Sequence, residues 1–182
     1  GANLLLLGDG HGNLDQAAGL PNTVAVTEAS ALGDVDSDGD LDIVFGNYQS
    51  QNELLLNNGA GVFTDVTATH LPADTSRTSA LVLADMDLDN DLDLVVGNRL
   101  QRLELLLNDG TGRFTPANWL LPQLTHNVEA LAVGVFATVG PPLPDVVVAN
   151  SNEQNYVYMN VGTALAAAPL PETAPYADTR SV

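Results

Sequence analysis

Two runs of alternating aspartates constrain this chain more than any other feature of its sequence. Residues 34–42 read Asp-Val-Asp-Ser-Asp-Gly-Asp-Leu-Asp, and residues 85–93 read Asp-Met-Asp-Leu-Asp-Asn-Asp-Leu-Asp. Five carboxylates so close together repel one another by kilocalories once they leave bulk water. A folded chain tolerates such a run when the carboxylates surround a cation. The two runs begin 51 residues apart, and each leads into an apolar stretch that ends in Gly-Asn.

The ligand types in these runs favour Ca²⁺ as the cation. Calcium takes oxygen ligands, and a loop with carboxylates at positions one, three and five and a turn residue at position six supplies them. The chain has no cysteine, which excludes thiolate metal sites and disulfides. The candidate ligand residues are Asp34, Asp36, Asp38, Asp40 and Asp42 in the first loop, and Asp85, Asp87, Asp89, Asp91 and Asp93 in the second.

Three alternative interpretations of the loops remain open. An EF-hand needs Glu at position twelve and flanking helices, whereas this chain has Phe45 or Val96 there, inside a predicted strand. An acidic loop without metal is the second alternative, because runs of like charge are commonly solvated. Mg²⁺ is the third, although it prefers to keep its own waters.

A repeat of about 50 residues organises the chain. Leu-Pro pairs begin at Leu20, Leu71, Leu121 and Leu170, at steps of 51, 50 and 49 residues. The pattern of each repeat predicts four short strands. An aspartate loop joins the first two strands, and a Gly-rich turn such as 57–61 joins the last two. No stretch shows helical periodicity. One four-stranded unit cannot bury both of its faces, so the units must stack, and this period predicts β-propeller blades.

The pattern Asp-x-Asp-x-Asp-Gly-x-x-Asp followed by Ile-Val-Phe-Gly-Asn resembles the FG-GAP or VCBS-type repeat, found in the integrin α-subunit head and in bacterial surface proteins. Literal Phe-Gly occurs only at 45–46 and Gly-Ala-Pro does not occur, so the bacterial branch fits better. The resemblance implies that Asp40 and Asp91 contribute backbone carbonyls, with their side chains pointing outward. It also implies that Asp42 and Asp93 are the ninth-position ligands.

The predicted fold is all-β, with about three and a half propeller blades of four antiparallel strands. In the third repeat only Asp145 remains of the alternating aspartates. One carboxylate cannot replace the hydration shell of an ion, so we predict no metal there.

We expect the chain to be a fragment of a longer propeller, or a chain that self-associates to cover its edge strands. The predicted units are residues 1–21, the second half of a blade; 22–72, a blade with calcium loop 34–42; 73–122, a blade with calcium loop 85–93; 123–171, a blade with a degenerate loop; and 172–182, the start of a further blade.

Charge and hydropathy limit the expected partners. The net charge is −18, from 23 acidic residues against five arginines, which disfavours nucleic acid and anionic membrane faces. No apolar run is long enough to span a bilayer. We expect two Ca²⁺ ions as cofactors and a protein or glycan as ligand. We also expect an extracellular location, since weak calcium sites are filled there and empty in resting cytosol.

The sequence predicts a non-catalytic scaffold for binding or adhesion. His11 and His70 are expected to face solvent, and His126 forms either an acid–base pair with Glu129 or a polar contact at a blade end. No nucleophile motif accompanies these histidines. Two alternatives stay open: part of a carbohydrate-active propeller enzyme, a lyase or hydrolase with its catalytic residues outside this segment, and a structural spacer.

Overall fold

The computed structural model describes residues 2–16, 20–21, 25–136 and 142–171, and the regular secondary structure of these residues is almost entirely β-strand. Two single helical turns, α1 (Thr67–His70) and the 3-10 turn η1 (Asn118–Leu120), are the helices in those ranges, and no helix there could cross a membrane. In chain order the strands are β1 Leu6–Gly8, β2 Leu14–Gln16, β3 Thr27–Gly33, β4 Asp42–Asn47, β5 Glu53–Asn57, β6 Phe63–Asp65, β7 Thr78–Ala84, β8 Asp93–Arg102, β9 Glu104–Asn108, β10 Phe114–Pro116, β11 Thr125–Gly134, β12 Asp145–Asn150, β13 Tyr156–Asn160 and β14 Leu165–Pro169.

The strands are arranged as successive four-stranded antiparallel blades. β3–β6 form the first complete blade, β7–β10 the second and β11–β14 the third, and within each blade neighbouring strands in the chain are hydrogen-bonded neighbours in the sheet. β1 and β2 form a separate antiparallel pair. β7 contacts β3 on one side and β11 on the other. The predicted all-β class is confirmed, and the fold is a partial β-propeller. The predicted further blade at 172–182 lies outside the described residues.

Both faces of the second strand in a blade are buried, which explains why these strands are continuously apolar. In β8, Leu94 and Val96 pack into a cluster with Val44 of the first blade, whereas Val95 packs into a cluster with Val146 of the third. Successive side chains in a strand point to opposite faces. The stacking of blades therefore buries the surfaces that an isolated four-stranded sheet would leave in water.

The strand boundaries differ from the predicted ones at the junction of the second and third blades. β8 continues beyond Asn98 to Arg102, where it pairs with the start of β11 through Thr125. The helical turns α1 and η1 lie just before Leu71 and Leu121, and the sequence did not predict them because one turn is too short to show a period.

The first strand of each blade carries the same β-bulge, at Glu28, Ser79 and Glu129 respectively. Arg99 in β8 lies 3.5 Å from the Glu28 carboxylate and 3.3 Å from the Glu129 carboxylate. One side chain of the middle blade thus pairs with the bulge residues of both neighbouring blades.

Glycine is required where one blade approaches the next. A Cβ atom added at Gly97 would lie 2.7 Å from Cγ1 of Val128, and one added at Gly46 would lie 2.6 Å from Cγ2 of Thr78. Carbon atoms that are not bonded prefer a separation of about 3.5–4.0 Å. Gly46 is the glycine of the Phe-Gly dipeptide, so in this chain the dipeptide marks a packing contact between blades. The third repeat has Ala149 at the same place.

We expect Gly97→Ala to lower the free energy of unfolding by about 1–3 kcal/mol, the usual range for overpacking a tight interface. Urea denaturation at constant calcium concentration measures this. Gly8→Ala is the control, because a Cβ there meets nothing closer than 3.9 Å. Equal losses in the two variants would contradict the packing role.

Candidate metal centres

The first aspartate loop is held in shape by its own carboxylates. The backbone N–H groups of Asp38 and Gly39 donate to the two carboxylate oxygens of Asp34, at 3.1 and 3.0 Å. The N–H of Asp40 donates to Oδ1 of Asp38 at 3.0 Å. Aspartate side chains favour this kind of local bond to the backbone, so the alternating sequence folds into a compact loop between β3 and β4.

The second loop repeats this network position by position. The N–H groups of Asp89 and Asn90 each donate to Asp85 at 3.1 Å. The N–H of Asp91 donates to Oδ1 of Asp89 at 3.0 Å. Two loops with different intervening residues therefore share one backbone conformation.

Two residues in each loop adopt a left-handed conformation. Gly39 has φ 97° and Asn90 has φ 76°, and Gly and Asn are the residues that tolerate this best. The turn predicted at position six is confirmed in both loops. Position four is also left-handed, with φ 60° at Ser37 and φ 65° at Leu88. This was not predicted from the sequence, since neither residue type favours that region.

The ninth aspartate fixes the loop to the rest of its blade. In the first blade, the N–H of Val35 donates to one oxygen of Asp42 at 2.9 Å, and the N–H of Asn57 donates to the other at 2.8 Å. In the second blade, Asp93 accepts from the N–H groups of Met86 and Asn108 at 2.8 and 2.9 Å. Both carboxylates are buried.

The third blade keeps this anchor without the remaining aspartates. Asp145 is buried and accepts from the N–H groups of Phe136 and Asn160, at 2.9 and 2.8 Å. The residue that the sequence presented as a remnant of a metal loop is therefore a structural anchor. Residues 137–141 of the degenerate loop lie outside the described residues.

The structure brings together three carboxylates in each loop. Oxygen atoms of Asp34, Asp36 and Asp42 lie within 4.8 Å of one another in the first loop, and those of Asp85, Asp87 and Asp89 do so in the second. Neither Asp38 in the first loop nor Asp93 in the second belongs to these groups. The ligand roles assigned from the sequence to all ten aspartates stay predictions.

The aspartates at position seven lie away from these groups, against the hairpin turns. A Cβ added at Gly59 would lie 2.4 Å from Oδ2 of Asp40, and one added at Gly110 would lie 2.6 Å from Oδ2 of Asp91. Each carboxylate thus lies directly against a glycine of the turn that joins the third and fourth strands of its own blade.

The electrostatics of the clustered carboxylates fit a cation. Burial raises the pKa of Asp36, and the nearby charge of Asp38 raises it further. Partial desolvation likewise raises the pKa of Asp87, with a contribution from Asp89. Beside the second cluster, burial raises the pKa of Asp93 to about 6. A cation held among these oxygens would oppose both effects, because an opposite charge favours the ionised form.

One oxygen of the first loop has no hydrogen-bond partner among the residues that the structure describes. Oδ1 of Asp36 is buried and accepts no hydrogen bond, although a buried acceptor normally has a partner. The donor set is entirely oxygen, as Ca²⁺ prefers. The residues present therefore fit a hard divalent cation.

Each loop is also hydrogen-bonded to the next blade by an asparagine. Nδ2 of Asn108, at the end of β9, donates to the carbonyl of Val35 in the first loop at 2.7 Å. Nδ2 of Asn160, at the end of β13, donates to the carbonyl of Met86 in the second loop, also at 2.7 Å. These asparagines were not among the predicted site residues. The third strand of each complete blade ends in an asparagine, at Asn57, Asn108 and Asn160, and this recurrence was the signal of a shared role.

The histidines do not form a catalytic site with the partners considered from the sequence. His126 is buried, at 3% exposure; its Nε2 lies 2.5 Å from the Tyr158 hydroxyl and its Nδ1 lies 3.4 Å from Nδ2 of Asn150. Glu129 instead pairs with Arg99. The suggested His126–Glu129 acid–base pair is therefore wrong, because the bulge at Glu129 directs that side chain to the neighbouring blade.

These features define a partial β-propeller with acidic loops between the first two strands of its blades. Residues 34–96 match the model of the FG-GAP-like repeat family. The match begins at the first aspartate loop and ends in β8, so it includes both loops. The match confirms the resemblance drawn from the sequence for this part of the chain. No curated protein matches the chain in sequence.

The bond from Asn108 to Val35 gives a direct test of the connection between loop and neighbouring blade. We expect Asn108→Ala to lower the free energy of unfolding by about 1–3 kcal/mol, because a buried carbonyl loses its donor. Asn57→Ala is the matched control: its Nδ2 donates to Leu41 of its own blade, at 3.2 Å. Chemical denaturation of both variants measures the difference, and an equal effect in both would contradict the role of the bond between blades.

Proposed function

We propose that this chain is a calcium-stabilised segment of a β-propeller that acts outside the cell as a non-catalytic binding scaffold. The observation that carries the proposal is the pair of loops in which three carboxylates converge within 4.8 Å. Carboxylates at that spacing repel one another, and this repulsion opposes folding. A divalent cation among them replaces the net repulsion with attraction.

The proposed role of the ion is structural. Each loop connects the first two strands of a blade, and its second residue accepts a hydrogen bond from the next blade. An ion that orders the loop therefore also orders the contact between blades. Binding to the folded state alone adds about 2.7 kcal/mol per site when calcium is at a hundredfold excess over Kd.

The proposed location follows from the affinity expected of such loops. Two of the three clustered carboxylates in the second loop, those of Asp87 and Asp89, are exposed, and extracellular calcium modules of this kind bind at about 10⁻⁴–10⁻³ M. Sites of that strength are occupied outside the cell and empty in resting cytosol.

A binding role is favoured over catalysis by the surroundings of the histidines. His11 is exposed in a hairpin turn and bonded to Asp9, and His70 is bonded to the hydroxyl of Thr69. The only buried histidine among the described residues is held by Tyr158 and Asn150. Since connections between strands supply most ligand contacts on rigid scaffolds, we place the binding surface at the ends of the blades.

Calcium removal tests the structural role. We expect an excess of chelator to lower Tm by about 10–20 °C relative to saturating calcium, because two sites together stabilise the fold by about 5 kcal/mol. Differential scanning calorimetry with Ca²⁺, with Mg²⁺ and with chelator measures this. An unchanged melting curve in chelator would refute the proposal, and equal protection by Mg²⁺ at the same concentration would refute the choice of ion.

Single substitutions in the first loop test the assignment of the site. We expect Asp36→Ala to remove one of two calcium equivalents in a calorimetric titration and about half of the calcium-dependent rise in Tm. Asp40→Ala is the matched control, because that carboxylate lies against Gly59 rather than in the cluster. Loss of the same equivalent in both variants would show that the cluster is not the site.

A further inference from the structure

A groove of about 550 Å³ opens between the second and third blades. Its walls come from the end of β8, including Leu100 and Arg102, from Leu103 in the connection between β8 and β9, and from the connection between β10 and β11, including Trp119 and Gln123. In an antiparallel blade these connections lie at the opposite end from the loop between the first two strands. The groove is therefore separate from the aspartate clusters.

Trp119 is the dominant side chain of the groove wall. It is the only tryptophan of the chain, and 75% of its surface is exposed. Its backbone is fixed, since Oδ1 of the preceding Asn118 accepts the N–H of Leu105 at 2.9 Å, and Ala117 and Leu121 on either side of η1 are buried. The structure thus holds a large indole ring in water on a rigid turn.

Leu100, on the other side of the groove, is equally unusual. It is 63% exposed and has φ 56°, a conformation in which leucine is uncommon. An exposed leucine buries no apolar surface in the core, and the positive φ strains its backbone. Strained residues are concentrated at functional sites.

The first blade shows that the fold does not need these two side chains. It has an equivalent groove of about 560 Å³, where Oγ1 of Thr67 accepts the N–H of Leu54 at 2.9 Å just as Asn118 accepts that of Leu105. The residue after Thr67 is Ala68, the counterpart of Trp119. The counterpart of Leu100 is Gln49, with φ 53°. The same backbone carries an aromatic ring in one groove and a methyl group in the other.

The polar groups beside Trp119 are mostly neutral and planar. Gln101, Arg102 and Gln123 are all exposed, and a guanidinium N–H of Arg102 donates to Oε1 of Gln123. Oε1 of Gln101 accepts the N–H of Arg77 at 2.9 Å, which fixes the position of that amide. Arg102 forms no ion pair with any carboxylate of the described residues. Planar donors and acceptors are thus positioned next to an open aromatic face.

We propose that this groove binds a neutral oligosaccharide, with a sugar ring stacked on Trp119 and sugar hydroxyls bonded to Gln101, Arg102 and Gln123. One face of a pyranose ring presents C–H groups, which pack on the π-face of an indole, while its hydroxyls need donors and acceptors at the edge. A rigid ring on a rigid turn also loses little conformational freedom on binding. This inference rests on the proposed binding function and specifies the ligand class and the site.

The charges of the chain and of the groove lining favour a neutral ligand over charged ones. The net charge of −18 repels polyanions. Within the groove lining, the guanidinium of Arg102 and the carboxylate of Glu104 are the charged groups, and their charges offset each other. The apolar part of the groove is limited to Trp119, Leu100 and a few neighbours such as Pro122, with amides and hydroxyls between them. A ligand rich in hydroxyls with one apolar face matches that lining.

Because Trp119 is the only tryptophan, its fluorescence reports directly on the groove. The experiment titrates the calcium-loaded chain with neutral tetrasaccharides of glucose, galactose, mannose and N-acetylglucosamine. We expect a saturable change in emission with at least one of them.

In a glycan array, we expect Trp119→Ala to weaken binding at least about tenfold, which corresponds to about 1.4 kcal/mol. We expect Trp119→Phe to retain part of the binding. Trp119→Ala reproduces the residue at Ala68, so it is expected to fold normally by circular dichroism.

Val62→Ala is the control variant, because Val62 is exposed in a hairpin turn at the other end of the first blade; its binding should equal that of the parent chain. Absence of binding to all the neutral glycans would overturn the proposal, as would binding that Trp119→Ala leaves unchanged, or a response to peptides alone. None of these results affects the calcium-dependent melting that tests the proposed scaffold, so the two proposals fail separately.

Discussion

Each blade depends on a buried carboxylate that accepts hydrogen bonds from two backbone N–H groups. In the first blade Asp42 connects the start of the loop, at Val35, to the end of the third strand, at Asn57. One side chain thus joins three segments that are separate in the chain. Its burial raises the pKa of Asp42, while the two amide bonds favour the ionised form. The same arrangement in all three blades, including one that lacks the other aspartates, shows that the anchor does not require an acidic cluster.

The other aspartates shape the loop and form the candidate cation site beside this anchor. The carboxylates of Asp34 and Asp38 are used to shape the loop through backbone N–H groups, whereas Oδ1 of Asp36 is buried without a donor. A cation would satisfy that oxygen and offset the repulsion at the same time. Because Val35 in this loop also accepts the Asn108 side chain of the next blade, the ordering of one loop stabilises a neighbouring unit. Stability in a stack of repeats depends on such nearest-neighbour terms.

The sequence predicted the features that depend on spacing along the chain. The 51-residue repeat of the aspartate runs predicted the blades, and the turn residues Gly39 and Asn90 adopt the expected positive φ. It could not predict features that depend on what lies across an interface. The contact of Asn108 with Val35 joins residues 73 positions apart, and the role of Asp145 is visible only through its amide partners. Of the two interpretations of His126, the polar contact is confirmed. The acid–base pair fails for the same reason, because a one-residue bulge turns Glu129 toward Arg99.

The structure determines the residue types at one end of the blades but not at the other, and this difference is relevant to the proposed function. At the aspartate end, hydrogen bonds to the backbone fix the residue types, so the first two loops are nearly copies of each other. At the opposite end, the structure fixes the backbone but leaves the side chain free. The left-handed residue two positions after the asparagine of the second strand is Gln49, Leu100 and Asn152 in successive blades. The turn before the Leu-Pro corner carries Ala68 or Trp119. Ligand contacts on a rigid scaffold come mainly from the connections between its strands. The end of the blades with variable side chains is therefore the end at which the proposed binding surface lies.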